Sequence, residues 1–258
     1  MARTSFAFVF MDECSYEPLD LISLTGVLVP LEKYVSVRDA MCQLAWNILS
    51  PEKNRIPQPV ELHASDLLRD RTDTDRLAVY ATVVKIIQEH RFLIYRTTYL
   101  NRGDLNRIFK GDPKMYGLNF GNIMGWLERI MENTLVIPVM DGVPSQKVSG
   151  KKPPRIDGTL IRAFAQRVRM IHQIRQSESG SGMLSIKNAK NLGEPIFGDS
   201  AYSTFLQLVD LVSYLLLQVE RSDLEPDKPM SEFRQDVVAQ GRKLEFASSR
   251  GRMKINGV

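Results

Sequence analysis

The hydrophobic pattern opens with Ser5-Phe-Ala-Phe-Val-Phe-Met, a short apolar run that stops on two acids, Asp12 and Glu13. A run this short, rich in Phe and Val, predicts a strand buried on both faces. Alternation gives Phe6, Phe8, Phe10 and Asp12 one face and Ala7, Val9, Met11 and Glu13 the other. Residues 14–20 read as a polar connection, and 21–29 as a second strand close enough for an antiparallel hairpin. The period then lengthens. Residues 31–49 fit a helix with Tyr34, Val37, Met41, Leu44, Ala45 and Ile48 on one side, closed by Ser50-Pro51. A second helix is predicted over 74–90, and a β-branched and aromatic run predicts a third strand over 91–100. Residues 118–133 fit a helix despite Gly121 and Gly125. A fourth strand over 135–140 again runs into an acid, Asp141, and Pro138 inside it argues for an edge or a bulge. Residues 156–175 form an amphipathic helix, and a short fifth strand is placed at 195–197. Gly198-Asp199-Ser200 gives a turn and a cap for the strongest helix, 201–220, which is apolar nearly all round and therefore buried.

The acids stand out against this pattern. Asp12 and Asp141 each close an apolar strand, so parallel neighbouring strands would set them side by side at one end of a sheet. Asp210 interrupts a helix of Leu, Val, Phe and Tyr, with Gln207 one turn before it. A buried carboxylate needs a partner or a cation. A polar turn after Asp12, or a hydrogen-bonded or arginine-paired Asp210, is the bland alternative. Glu61 lies in Pro59-Val-Glu61-Leu-His63-Ala-Ser-Asp66, where a short helix capped by Ser65 or Asp66 is expected. Clustered carboxylates suit magnesium or manganese, which prefer hard oxygen ligands. Two such ions about 3.5–4 Å apart serve in-line phosphoryl displacement.

Composition changes this picture little. With 258 residues, 43% hydrophobic and 25% charged, the chain is an ordinary globular protein, and +4 of net charge permits a polyanionic partner without demanding one. No apolar run reaches a membrane span, and no signal-peptide pattern is seen, so a cytoplasmic protein with no membrane partner is expected. Cys14 and Cys42 make neither a metal spacing nor a disulfide framework.

Four segments together resemble a known family: strand-Met-Asp-Glu-Cys-Ser at 11–15, Glu-Leu-His-Ala-Ser-Asp-Leu at 61–67, strand-Met-Asp at 140–141, and Gly-Asp-Ser-Ala-Tyr-Ser-Thr-Phe-Leu-Gln-Leu-Val-Asp-Leu-Val-Ser-Tyr at 198–214. Over about residues 5–220 they resemble the prokaryotic and phage domain-of-unknown-function 3800 family, itself regarded as similar to the ribonuclease H-like superfamily. The resemblance implies an α/β fold, a ribonuclease H-like five-stranded mixed sheet with helices on both faces. It implies phosphodiester hydrolysis with Mg2+ or Mn2+. Asp12 would be the central ligand, Asp141 and Asp210 the next two and Glu61 the fourth, all serving as catalytic metal ligands. Two departures exist: Glu61 precedes the third strand, whereas ribonuclease H has its glutamate after it, and Cys14-Ser15 stands where the family usually has Ser-Gly.

Around those acids, Glu13 and Gln207 are expected to support the ligands, and His63 to orient a water or act as general acid, with a helix N-terminal histidine that has no chemistry as the alternative. From Lys147 to Arg175 the chain carries eight basic residues against one acid, Asp157. Lys147, Lys151, Lys152, Arg155 and Arg162 are the candidates for a nucleic-acid backbone; a solvated face is the alternative. The expected organisation is a ribonuclease H-like domain over 1–222 and a polar, basic extension over 223–258, frayed at its end. The expected function is a metal-dependent nuclease acting on RNA or DNA. A non-catalytic binding protein of the same fold and a hydrolase of a smaller phosphate ester are the alternatives, and a homodimer is permitted.

Overall fold

The structure, a computed structural model, describes residues 5–49, 71–100, 112–131, 133–141, 193, 196–198 and 203–251. Its strands are β1 (Ser5–Tyr16), β2 (Leu21–Pro30), β3 (Leu93–Tyr99), β4 (Thr134–Asp141), β5 (Ile196–Gly198) and β6 (Ala247–Gly251). Its helices are α1 (Tyr34–Leu49), α2 (Asp73–His90), α3 (Asp112–Ile130), α4 (Thr204–Leu224) and α5 (Glu232–Gly241). The sheet order is β5-β4-β1-β2-β3-β6. β2 runs antiparallel to both β1 and β3, whereas β4 joins β1, and β5 joins β4, in parallel. The five expected strands therefore form a mixed sheet, and a sixth extends it.

That sixth strand corrects the expectation for the chain's end. The stretch 223–258 supplies α5 and then β6, which pairs in parallel with β3 from Tyr95–Ala247 to Tyr99–Gly251. Ala-Ser-Ser-Arg-Gly carries no apolar alternation. Its place is set by backbone pairing, and a polar composition suits an edge strand.

β1 also runs further than its apolar stretch. It continues through Asp12 and Glu13 to Tyr16, because β2 pairs with it down to Tyr16–Leu21. A 3-10 turn, Glu17–Leu19, closes the hairpin, with Asp20 in the left-handed region at φ 46°. An aspartate tolerates that conformation better than most residues. Pro138 sits inside β4 without breaking a ladder. Val136 O accepts from Gly193 N at 2.8 Å, so Val136 and, two residues on, Pro138 turn their backbones to the β5 side. β5 pairs only from Val139 onward, so the missing N–H costs no rung there.

Helices cover both faces. α3 packs Phe120, Ile123, Met124 and Leu127 against Val9, Met11, Leu24, Leu28 and Tyr95. Gly26 allows the close approach, since a Cβ there would stand 3.2 Å from Ile123 and Val9 methyls. On the opposite face α1, α2, α4 and α5 bury Phe10, Val27, Val29 and Ile94. Phe205 of α4 stacks on Phe10 with ring centroids 4.7 Å apart. α4 begins at Thr204, three residues later than predicted, and its cap is Ser203, whose Oγ accepts from Leu206 N at 3.3 Å. Asp199 and Ser200, the expected caps, lie outside the described residues. α3 begins six residues before the predicted start, and a Cβ on Gly125 would meet nothing, so that glycine faces open space.

α5 lies close against α4. A Cβ on Gly241 would stand 2.7 Å from a Val219 methyl and 2.8 Å from Leu215 O. Backbone is one of those obstacles, so α5 must move to admit it. Gly241→Ala is expected to cost about 1–3 kcal/mol, the usual range for overpacking. A lower urea midpoint at constant slope would register it.

Candidate functional site

Three elements carry the predicted aspartates: β1 and β4, which pair in parallel, and α4, which packs on β1. The parallel ladder between β1 and β4 ends at Met11–Met140, so Asp12 and Asp141 are the next residues on two adjacent strands. β5 adds Gly198 beside Asp141. Beyond that rung β1 continues as the partner of β2 alone, among the described residues. The two acids thus lie where the carboxyl ends of three parallel strands open, the usual place for a ligand on an open α/β sheet.

α4 lies over the same face. Phe10 stacks on Phe205 and Cys14 joins groups that contact Ser213, so strand alternation sets Asp12 between two residues that face α4. Asp12 is half-buried, as is Asp210, three residues before Ser213 on α4. Thr25, directly across from Asp12 on β2, donates through Oγ1 to Ser213 Oγ at 3.2 Å. Asp210 also lies near α2. Tyr80 of α2 stacks on Tyr214, centroids 5.6 Å apart. Burial first, then Tyr214 and the charge of Asp210, push the Tyr80 phenol well above its ordinary range, against the opposing pull of Arg76.

Beneath these residues lies a buried polar network that the hydrophobic pattern does not announce. Arg96 of β3 is 0% exposed, and its ion-pair partner Glu220 of α4 is 3% exposed. Arg96 Nη2 donates to Glu220 Oε2 at 2.8 Å, Ser23 Oγ at 2.6 Å and Cys14 Sγ at 3.1 Å. Nη1 donates to Thr25 Oγ1 at 2.5 Å and reaches Ser213 O and Oγ at 3.4 Å. Thr98 Oγ1 donates to the other Glu220 oxygen at 2.5 Å. Burial alone would lower the Arg96 pKa, but Cys14 and Glu220 carry it above the ordinary value, so the guanidinium stays charged. The one sequence signal was Arg96 inside the run Arg91–Leu100, a charge in an otherwise apolar and hydroxylic strand.

A second cationic group closes the far end of β1. The Arg221 guanidinium lies 4.0 Å from the Tyr16 ring centre and donates to Tyr16 Oη at 3.0 Å, while Lys228 bonds Glu225 at 3.0 Å. Tyr16 is four residues past Asp12, about 13 Å along the strand.

The other predicted residues fall out differently. Gln207 is buried on α4, and Glu13 is exposed on the strand's alternate positions. Glu61, His63, Lys147, Lys151, Lys152, Arg155 and Arg162 lie outside the described residues, as do the predicted helices after Ser65 and over 156–175. Of Asp141 the backbone is described and the side chain is not. Among the described residues no group of three or more His, Cys, Asp or Glu side chains stands ready to hold a metal. That set contains neither Glu61 nor the Asp141 carboxylate. Among the described residues no helix is long and apolar enough to cross a membrane. Comparison with known proteins returns no match to a family model, a curated protein or a solved structure.

Proposed function

We propose that the protein is a metal-dependent nuclease of the ribonuclease H-like kind, hydrolysing phosphodiester bonds in nucleic acid at Asp12, Asp141 and Asp210, with Glu61 as fourth ligand. The supporting observation is the parallel β1–β4 pair, whose last rung at Met11–Met140 leaves Asp12 and Asp141 as next neighbours below the helix that carries Asp210. The antiparallel β3-β2-β1 half continued by parallel β4 and β5 supports the reading, as a mixed sheet of the kind the resemblance implies with β6 added at its edge. The donor set fits a hard divalent ion: all candidates are carboxylates, and Asp12 and Asp210 are half-buried. Bound there, magnesium or manganese would polarise the phosphodiester and activate water. The protein's own part is to hold the carboxylates on two strands and a helix, and to leave the strand ends open for a polymer. A structure soaked in manganese tests this directly. Density between Asp12, Asp141 and Asp210 is expected, together with cleavage of a nucleic-acid polymer; a soaked crystal without the ion would end the reading.

A non-catalytic protein of the same fold is the second reading, favoured by the closeness of Asp210 to Tyr80. Cleavage that depends on manganese separates the two.

The basic stretch adds an independent expectation. Changing Lys151, Lys152 and Arg155 to Ala together should flatten the log–log salt dependence of nucleic-acid binding by about 2–3 units, at about 0.7–0.9 per lost phosphate contact. Turnover at saturating substrate should survive, since such residues position the polymer. An unchanged slope would make the stretch a solvated face.

A further inference from the structure

We infer that Arg96 is a positioning residue for the carboxylate site: it fixes how far along the sheet α4 sits, and so where Asp210 stands relative to Asp12. The inference rests on reading those two acids as parts of one site. The problem it answers lies in the composition of α4. Leu206, Leu208, Val209, Leu211, Val212, Leu215 and Leu216 are all buried, and such a surface looks much the same after a slide of one turn. A slide of about 5.4 Å would exchange one aliphatic contact for another. It would also displace Asp210 along the sheet, past Asp12, by the same length.

The polar contacts break that degeneracy. Ser213 and Glu220 are seven residues apart, two turns on one side of α4, and one guanidinium touches both. A shift of four residues would bring Leu216 or Leu224 to the place of Glu220. Arg96 would then be buried without its carboxylate, which is strongly disfavoured. On the sheet side the same guanidinium holds Thr25, the residue opposite Asp12, and on the helix side Ser213, one turn after Asp210. Each acid therefore sits beside a residue that Arg96 grips. Setting register is the best-attested use of a buried polar group. Arginine suits the task better than lysine, because its planar fork carries five donors in fixed directions.

The test is a paired apolar variant, Arg96→Met with Glu220→Leu, which removes both charges together. Three quantities are read on the full chain: the melting temperature, Mn2+ affinity by titration, and the nuclear Overhauser contact between the Phe10 and Phe205 rings. The expected result is a melting temperature close to the parent's, a ring contact that is lost or doubled, and Mn2+ affinity weakened about 10–100-fold, the usual cost of disturbing the support of metal ligands. A single unshifted ring contact with undiminished Mn2+ affinity would overturn the inference and leave Arg96 a purely structural group. If the parent chain itself binds no Mn2+, the metal reading fails, and the ring contact alone decides whether Arg96 sets the register. Arg96→Lys serves where the pair variant does not fold. It keeps the charge opposite Glu220 but loses the fork, and it should weaken Mn2+ binding with the fold intact; full affinity with unshifted rings in this variant also overturns the inference.

Discussion

Asp12→Asn is expected to abolish nucleic-acid cleavage and to leave the fold intact. A carboxylate that binds a metal contributes more than the groups supporting it, whose loss already costs about 10–100-fold. The fall should therefore exceed about 100-fold in both magnesium and manganese. In the metal-free protein the same change removes one negative charge from the proposed carboxylate site, so repulsion there should fall and the melting temperature should hold or rise slightly. The substitution is close to isosteric and leaves the pairing of β1 with β2 and β4 untouched. The assay pairs a melt without metal with cleavage in each ion. Undiminished cleavage would remove Asp12 from the ligand set. A melting temperature lowered by many degrees would instead give Asp12 a structural duty.

Glu220→Ala should produce the largest loss of stability. It leaves Arg96 charged, 0% exposed and deprived of its carboxylate, and it strands Thr98 Oγ1 as well. Breaking a buried pair from one side costs about 3–5 kcal/mol. For a chain of this size each kcal/mol moves the midpoint by about 2–4 °C, so the melt should fall by roughly 6–20 °C. The paired variant that removes Arg96 too should recover most of this, because no charge is then left uncompensated. A drop of only 1–2 °C in Glu220→Ala would mean that water reaches Arg96 and the network is not dry.

The sheet was legible in the sequence where apolar runs are short and bounded. Phe6 to Met11 and Leu21 to Val29 declared two strands, and the acid closing β4 located its end. What the pattern missed has specific causes. The second half of β1 carries Asp12, Glu13, Cys14 and Ser15, residues that look like a turn until β2 supplies the partner backbone. β6 is held by main-chain bonds, which composition does not encode. Arg96, Ser23, Thr25 and Glu220 are unremarkable one by one; only a fold that joins positions 23, 96 and 220 turns them into a buried network. For the site, the sequence put Asp12 and Asp141 at the ends of apolar runs, and the parallel pairing of β1 with β4 is what makes them neighbours. The closeness of Asp210 to Tyr80 did not, since it depends on how α2 packs over α4.

The pairing of β3 with β6 has a consequence for biogenesis. Tyr95 pairs with Ala247, 152 residues later in the chain. At about 5–20 residues per second, a ribosome needs roughly 8–30 s to supply that partner. Throughout that interval the outer edge of β3 offers unpaired amides and carbonyls, flanked by Leu93, which is exposed even in the finished fold. Slow translation between these two strands lengthens the exposure. Aggregation of nascent chains should therefore rise with synonymous slow codons placed between β3 and β6.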